Sequence, residues 1–452
     1  MKKLFSVLLF FTLLTIFSLP AESAMPVVTK ENSVITAFTK SNGLYHSSAV
    51  NTSNQVLLHS PAIIPASKGT HLIVMEANNS VMRADGKEKQ MDSDPEVTPL
   101  MIDGTVYAPL RSIVEQFGVI PTYKNGIYTI NLGSQTTSIN IVTNEAYIND
   151  MLVASDVNSF YHKGYLYLPV DLIAKALNKT ALYEGEKIAL GDEAAIRDYK
   201  YGVQVPVLMY HHFDPNFQDG TTVDPTVFEQ QMTLLKNEGF TTLTTQDLIA
   251  ITKGDQLMPE KPIMITLDDA YESNYQYVYP VLKKLNMKAT IFVITGFIEH
   301  PEIDTIPIPK MTWDMMKEMS DSGHAAFQSH TNNLHYAAGG KGAINTPMTI
   351  NGVLETAEQY EERTYNDLIL SKQILEQKLG KPVTSFAYPG GFYSEASEEI
   401  LKRAGFELTL TTDKGLYNTK RDTLYLMKRI NIHGKASAES VLATIQKVRA
   451  MP

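Results

Sequence analysis

Short apolar runs alternate with helical patterns through the second half of the chain. The apolar runs predict buried strands at Val205–Met209, Pro262–Thr266, Lys288–Val293, Ala325–Gln328, Val383–Tyr388 and Leu408–Thr411. The segments between them predict helices at Thr226–Asn237, Tyr275–Leu285, Trp313–Ser320, Tyr360–Leu379 and Ser394–Ala404. Because strand and helix alternate over about 250 residues, we predict an α/β fold with a parallel sheet wound into a whole or partial (β/α) barrel. Such barrels carry their chemistry where the strands end.

An internal repeat precedes the predicted barrel. Gly104–Leu110 returns as Gly164–Val170, with Gly, Tyr and Pro at a constant offset of 60 residues. Each copy predicts a short strand that ends in Pro, then a helix and a hairpin. We therefore predict a small duplicated α+β domain at residues 71–193, followed by a polar linker at 194–204.

The N-terminus has the pattern of an export signal. Two lysines precede the apolar run Leu4–Leu19, and small residues follow it. The run of 16 residues is shorter than the ~20 needed to cross a bilayer, which favours a cleaved signal peptide at residues 1–24 over an uncleaved anchor. Residues 25–70 are rich in Ser, Thr and Asn, and we expect a loosely ordered lead-in there. The pattern predicts a secreted, extracellular protein, with cell-wall association as a further expectation.

Charge and composition exclude several kinds of partner, nucleophile and metal site. The chain has 39 Lys and Arg against 49 Asp and Glu, a net charge of −10, which excludes a chain-wide basic field for nucleic acid. A neutral partner fits this balance better. There is no cysteine, so disulfides, thiol nucleophiles and thiolate metal sites are excluded. Any metal must therefore be held by His, Asp or Glu.

Two predicted strands end in residues that can bind a metal. Asp268 and Asp269 follow one strand, and His330 and His335 follow another. Histidines five residues apart do not share a face of an α-helix, but they can converge in a loop over a strand end. Asp269, His330 and His335 would form a two-histidine, one-carboxylate set, which suits a catalytic Zn²⁺ and also accommodates other divalent ions. Asp268 is left as a candidate general base.

A third strand ends in Tyr388-Pro389-Gly390. A Pro-Gly turn is common in loops, but at a site it can direct backbone N–H groups at a developing oxyanion.

In combination these motifs resemble the polysaccharide deacetylases of carbohydrate esterase family four, the NodB-homology group. "TLDDAY", "SHTNNLH" and "FAYPGG" resemble its three main motifs, and the resemblance covers residues 205–452. "VPVLMYHHF" and "MKATIFV" are similar to the branch that acts on poly-N-acetylglucosamine. The family resemblance implies a deformed partial barrel in which Asp268 is the base and Asp269, His330 and His335 bind the metal. It also implies that the backbone at Tyr388 stabilises the oxyanion.

Other roles follow from the same resemblance. His433 is the candidate general acid, with a surface loop residue as the alternative. Ala270 stands where the family usually has Gly, and the usual motif-three Arg is absent, so Arg429 could supply that cation. The candidate substrate-binding residues are His211, Tyr271, Pro389, Gly390 and Arg429.

The repeat region resembles the copper-amine-oxidase-like N-terminal domain of exported Gram-positive proteins, on the stretch "DGTVYAPLRSIVEQFG". It lacks a His cluster for copper, and we expect a spacer or wall-binding module. For the whole chain we expect metal-dependent hydrolysis of N-acetyl groups on poly-N-acetylglucosamine, peptidoglycan or a chitin-like polymer, with release of acetate. Two alternatives stay open: a catalytically silent glycan-binding protein of the same fold, and a metal-independent glycoside hydrolase on a related barrel.

Overall fold

The computed structural model of the protein describes residues 37–41, 44–48, 71–338 and 341–449. The predicted signal peptide lies outside these residues, as does most of the predicted lead-in. Inside the lead-in, β1 (Ala37–Ser41) and β2 (Leu44–Ser48) pair as an antiparallel hairpin. The Asn-Gly pair between the two strands is a hairpin signal that the composition of the segment had masked. None of the helices described has the length and apolar character that a membrane span requires.

The N-terminal domain contains the duplicated unit. Its elements are β3 (Leu72–Glu76), β4 (Val81–Ala84), β5 (Lys87–Gln90), β6 (Leu100–Ile102), β7 (Thr105–Pro109), α1 (Leu110–Val114), β8 (Thr122–Lys124), β9 (Ile127–Leu132), β10 (Gln135–Asn140), β11 (Glu145–Ile148), β12 (Met151–Ala154), β13 (Phe160–His162), β14 (Tyr165–Pro169), α2 (Val170–Ala176), β15 (Thr180–Glu184), β16 (Lys187–Gly191) and α3 (Glu193–Tyr201). The strands form three sheets, in the orders β12-β11-β10-β9-β8, β13-β14-β7-β6 and β15-β16-β3-β4-β5.

The two copies of the repeat meet at the centre of this domain. Their equivalent strands β7 and β14 pair antiparallel, and each runs through a Pro into a short helix. Ile113 of α1 and Ile173 of α2 are both fully buried in one apolar core. The repeat therefore folds as one unit around a shared core, because neither copy alone could cover its apolar face.

The expected linker at 194–204 is wrong over most of its length, because α3 occupies Glu193–Tyr201. Ala195 and Ile196 are buried against Leu72 and other residues of the β3–β16 sheet, so the segment has an apolar face that its polar composition obscured. Gly202 ends the helix with a φ of 78°, a left-handed conformation that glycine adopts without strain.

The C-terminal domain contains the predicted barrel. Its elements are β17 (Gln204–Val205), β18 (Val207–Tyr210), β19 (His212–Phe213), β20 (Thr222–Val223), α4 (Pro225–Asn237), β21 (Thr241–Leu243), α5 (Thr245–Lys253), β22 (Pro262–Asp268), α6 (Tyr279–Leu285), β23 (Ala289–Val293), α7 (Thr295–Glu299), α8 (Trp313–Asp321), β24 (Ala325–Ser329), β25 (Ala337–Ala338), β26 (Lys341–Gly342), β27 (Thr349–Ile350), β28 (Val353–Leu354), α9 (Ala357–Leu379), β29 (Ser385–Ala387), α10 (Glu395–Arg403), β30 (Leu408–Lys414), β31 (Tyr417–Asn418), β32 (Met427–Asn431) and α11 (Ala438–Arg449).

The barrel sheet is closed. Parallel strands follow one another in the order β18-β32-β30-β29-β24-β23-β22, and β22 pairs again with β18, while β21 adds to β22 outside this ring. This confirms the predicted (β/α) barrel. Two strands of this sheet, β21 and β32, were not predicted because neither has a long apolar run. β21 has three residues, and β32 has the sequence Met-Lys-Arg-Ile-Asn. Because the ring strands are parallel, the residues that follow them meet at one end of the barrel.

Candidate active site

The two-histidine, one-carboxylate set comes together at that end of the barrel. Asp269 follows the last residue of β22, and His330 follows the last residue of β24. Asp269 Oδ1 lies 3.3 Å from His335 Nε2 and 3.6 Å from His330 Nε2. The ligand atoms of all three residues lie within 4.8 Å of one another, close enough for each to contact the same ion.

The hydrogen bonding of these residues fits a divalent cation. Asp269 Oδ1 is buried and has no hydrogen-bond partner within the described part of the chain. His330 Nδ1 lies 2.6 Å from the Ala387 carbonyl oxygen and donates to it, which leaves Nε2 with a free lone pair. Burial lowers the pKa of His330 to about 4, so the ring is neutral at neutral pH and can act as a ligand. The set of N and O atoms is one that Zn²⁺ and several other divalent ions accept.

The backbone beside the ligands is strained. Asp269 has a φ of 73°, Ala270 of 49° and Thr331 of 78°, all in the left-handed region. For residues other than glycine this costs roughly 1–2 kcal/mol each. Ala270 thus adopts a positive φ at the position where the family resemblance leads us to expect Gly. Its methyl group is buried in the barrel core. Strain at this point is typical of residues held in place for function.

The loop between the two histidines is tied to α9. Asp367 accepts hydrogen bonds from the backbone N–H groups of Asn332, at 2.8 Å, and Asn333, at 2.7 Å. Asn332 is also tied to the start of α7, since its Oδ1 accepts from Thr295 Oγ1 at 2.9 Å. Burial raises the pKa of Asp367 to about 6, so its carboxylate is ionised at neutral pH. Asp367 lies in no recognisable motif, so sequence reasoning missed it.

The predicted base, Asp268, forms a buried ion pair. Arg429 Nη1 lies 2.8 Å from Asp268 Oδ1, and Nη2 lies 2.9 Å from Oδ2. Arg429 Nε also donates to the Thr411 carbonyl at 2.7 Å. Burial by itself raises the pKa of Asp268, but the Arg429 charge outweighs it and holds the pKa below the ordinary value. Arg429 is fully buried, so it orients the base and is not the substrate-binding residue that we expected.

His211 completes the group around the base. Its Nε2 lies 3.9 Å from Asp268 Oδ2, and its side chain is 20% exposed. Its neighbour His212 instead contacts Ser273 Oγ through Nδ1 at 2.9 Å. The first of the two adjacent histidines therefore faces the site, and the second has a structural role.

The structure does not bring His433 into this group. His433 is exposed after β32, and its Nδ1 accepts a hydrogen bond from the Lys435 backbone N–H at 3.2 Å. Among the described residues, no hydrogen bond or ion pair joins it to Asp268 or Asp269. His433 as the general acid stays a prediction, and His211 is the histidine that lies beside Asp268.

Tyr388 cannot serve as the predicted oxyanion donor. Its backbone N–H donates to the Leu410 carbonyl at 2.9 Å, within the pairing of β29 and β30. Its side chain is fully buried, and its hydroxyl donates to Glu398 Oε2 at 2.8 Å. Pro389 is buried and has no N–H, so the next amide along the turn is that of the exposed Gly390.

Tyr271 is buried beneath Lys310 and is less accessible than a substrate-binding residue should be. The Lys310 Nζ lies 3.7 Å from the centre of the Tyr271 ring. Burial, together with the neighbouring Asp269 carboxylate, raises the pKa of Tyr271. Tyr271 therefore lies next to the candidate metal ligand Asp269 and helps to enclose it.

The motifs and the site agree with known families. Residues 255–409 match the polysaccharide deacetylase family, and residues 92–190 match the copper amine oxidase N-terminal domain. The chain thus contains a polysaccharide deacetylase domain, of a family of hydrolases that act on carbon–nitrogen bonds, and a copper-amine-oxidase-like domain precedes it. This confirms the resemblance that the motifs indicated.

Individual relatives are distant. A Bacillus subtilis protein named as a polysaccharide deacetylase, YxkH, is 28% identical over 246 residues, which cover 54% of this chain and 77% of that protein. The poly-β-1,6-N-acetyl-D-glucosamine N-deacetylase of Escherichia coli is 24% identical, and the match covers 44% of this chain but only 32% of that enzyme. A Streptococcus pyogenes deacetylase solved with acetate is 27% identical, covering 54% of this chain and 98% of that one with a TM-score of 0.43.

We expect Asp367→Asn to weaken metal binding. The two N–H groups donate to separate oxygens of Asp367, and in asparagine one of these oxygens is replaced by an NH2 donor. One of the two hydrogen bonds is therefore lost, and the loop that carries His335 loosens. Loss of a residue that holds a metal ligand in place typically lowers the metal affinity by about 10- to 100-fold. Competition with a chelating dye measures the dissociation constant for Zn²⁺, and Glu362→Gln, an exposed change on the same helix, is the control. Equal affinities in both variants would contradict the role of Asp367.

We expect Arg429→Met to reverse the pH dependence that Asp268 gives to stability. In the wild type the lowered pKa means that ionised Asp268 stabilises the fold above the ordinary aspartate pKa, and this is lost as the pH falls through the lowered value. Without Arg429, burial raises that pKa, so the variant is destabilised by about 3–5 kcal/mol at pH 7 and by less at pH 4. Urea unfolding at both pH values tests this, with the exposed Arg421→Met as control. A loss that is equal at both pH values would refute it.

Proposed function

We propose that the protein removes acetyl groups from N-acetylglucosamine residues of an extracellular or cell-wall polysaccharide and releases acetate. The observation that carries this proposal is the cluster of Asp269, His330 and His335 beside Asp268, which Arg429 holds ionised. A ligand set of this type next to an oriented carboxylate suits metal-assisted hydrolysis. The E. coli relative, named for its action on poly-β-1,6-N-acetyl-D-glucosamine, supports a polymer of this class.

Each residue of the site has a role in the proposed reaction. Asp269, His330 and His335 would hold a divalent metal, with Zn²⁺ favoured, which when bound polarises the acetyl carbonyl and lowers the pKa of water. Asp268, oriented by both guanidinium N–H groups of Arg429, accepts the proton of the attacking water. The backbone N–H of Gly390 donates to the oxyanion that develops on the acetyl carbonyl oxygen, in place of the Tyr388 N–H.

The leaving amine needs a proton, and His211 can supply it. Its Nε2 is near Asp268, and part of its ring is open to solvent, so it can both reach the substrate and recover its proton. The net charge of −10 supports a neutral N-acetylated polymer as the substrate, since an anionic one would be repelled.

Acetate release from defined β-1,6-linked N-acetylglucosamine oligomers tests the proposal. With the metal-loaded wild type, the mass of the oligomers should fall by one acetyl group at a time. A chelator should abolish this loss. Asp268→Asn and His211→Asn should each lower the rate by about 10²–10⁴-fold, because each removes one proton transfer.

His433→Asn is the matched control and should leave the rate within about threefold, as expected for an exposed residue. Binding without release of acetate from any acetylated glycan would favour a silent glycan-binding protein. Cleavage of glycosidic bonds that survives complete chelation would favour a glycoside hydrolase.

We also propose that the protein acts outside the cytoplasm, in association with the cell wall through its N-terminal domain. The basic start and the apolar run Leu4–Leu19 support export. We expect the protein recovered from the culture medium or the wall to begin between residues 21 and 25, as read by N-terminal sequencing. An intact N-terminus in those fractions would contradict cleavage.

A further inference from the structure

A cavity of about 510 Å³ lies between α7 and α8, and the ring of Phe297 in its wall packs against the ring of His335. We call it the Lys310 cavity. Its walls are mainly apolar and include Phe297, Ile306, Ile308 and Trp313, while Asp304 and Lys310 are its charged residues. Its volume is within the usual range for small-molecule sites, and an apolar wall with a few polar groups is their usual composition.

The wall of the Lys310 cavity is fastened to the catalytic loop by its backbone. The Met311 N–H donates to the Ala270 carbonyl at 2.9 Å, and the Glu272 N–H donates to the Pro309 carbonyl at 2.8 Å. On the other side, the Phe297 ring lies edge-on to the ring of His335, with 6.2 Å between their centres. The cavity therefore has a fixed position relative to the residues that would hold the reacting acetyl group.

Lys310 is an under-coordinated buried cation. Its side chain is only 7% exposed, and its Nζ has no hydrogen-bond partner among the described residues. Its ion-pair partner is Asp304 Oδ2, at 3.5 Å, and its Nζ also lies 3.7 Å from the centre of the Tyr271 ring and 5.8 Å from that of the Phe297 ring. An ammonium group has three donor hydrogens, and burying them without acceptors is costly. A ligand oxygen in the cavity would satisfy them.

Asp304 makes the pair neutral overall. Its side chain is also 7% exposed, and its Oδ1 accepts from the Ile306 backbone N–H at 2.9 Å, which fixes the carboxylate beside Lys310. The cavity thus offers a donor and an acceptor side by side, with charges that cancel, in an apolar wall. A neutral ring with hydroxyl and amide groups matches this arrangement, whereas an anionic sugar would be repelled by Asp304 and gain only one partner.

We propose that the Lys310 cavity binds the sugar residue next to the one that is deacetylated, as a neutral N-acetylated pyranose. The C–H face of the ring packs on Ile306 and Phe297, Lys310 Nζ donates to a hydroxyl or acetamide oxygen, and Asp304 Oδ2 accepts from a hydroxyl. This inference rests on the proposed function, because it extends the same site from one sugar residue to two.

The test compares N-acetylglucosamine with its β-1,6-linked pentamer, using the full-length, metal-loaded chain. Lys310→Met keeps the length of the side chain and its packing on Tyr271 but removes the donors. Ile306→Gln changes an apolar wall residue that is already 37% exposed, so it should fold normally. Lys284→Met, on the exposed face of α6, is the matched control.

We expect Lys310→Met to lower kcat/KM for the pentamer by about 10- to 100-fold, mainly through KM, and Ile306→Gln to lower it by about threefold or more. The loss for the monosaccharide, which has no neighbouring residue, should be at least five times smaller than the loss for the pentamer. Equal losses for both substrates would mean that Lys310 acts through Asp269, and unchanged pentamer kinetics in both variants would mean that the cavity is not used. Either result overturns the proposal.

If the wild type releases no acetate, the proposed function fails separately from this inference. Calorimetric titration of the pentamer into the wild type and Lys310→Met then tests the cavity alone. An affinity about tenfold or more weaker in Lys310→Met supports a sugar site there, and absent or equal binding overturns it.

Discussion

The closure of the barrel by β18 is the constraint on which the site depends. β18 pairs with β32 on one side and with β22 on the other, so it joins the last ring strand to the one that ends in Asp268. Arg429 on β32, His211 after β18 and Asp268 on β22 come from three neighbouring strands at this seam. Residues 161 positions apart thereby form a two-bond ion pair that an open sheet could not hold. The charge state of the base is a consequence of ring closure.

The metal ligands depend on a second set of supports. The left-handed backbone at Asp269, Ala270 and Thr331 is unfavourable locally, and it persists because its neighbours over-determine it. The backbone bonds from Pro309 and Met311 hold one side, and the carboxylate of Asp367 holds the other. Apolar burial in the barrel supplies the free energy that maintains this strain, so the stability of the core and the geometry of the ligands are linked.

Local patterns made part of this structure predictable. The strands of the barrel and the internal repeat were predictable from the periodicity and spacing of residues along the chain. The Asp-Asp and His-His motifs were predictable because each lies within one short segment. Features that depend on contacts between distant segments were missed or misassigned. The Tyr388 amide, predicted to face an oxyanion, donates to β30. The exposure of His433 is not visible in the sequence, and Asp367 on α9 lies in no motif. β32 was not predicted because its central residue is a charged Arg, whose burial depends on distant partners such as Asp268 and the Thr411 carbonyl.

The position of β32 along the chain also bears on biosynthesis. The strand that closes the ring and carries Arg429 spans Met427–Asn431, so it is the last of the ring strands to leave the ribosome. Until then Asp268 has no cation, and the seam between β18 and its neighbours is incomplete. A chain that stops before this strand would contain all three metal ligands and still lack an oriented base.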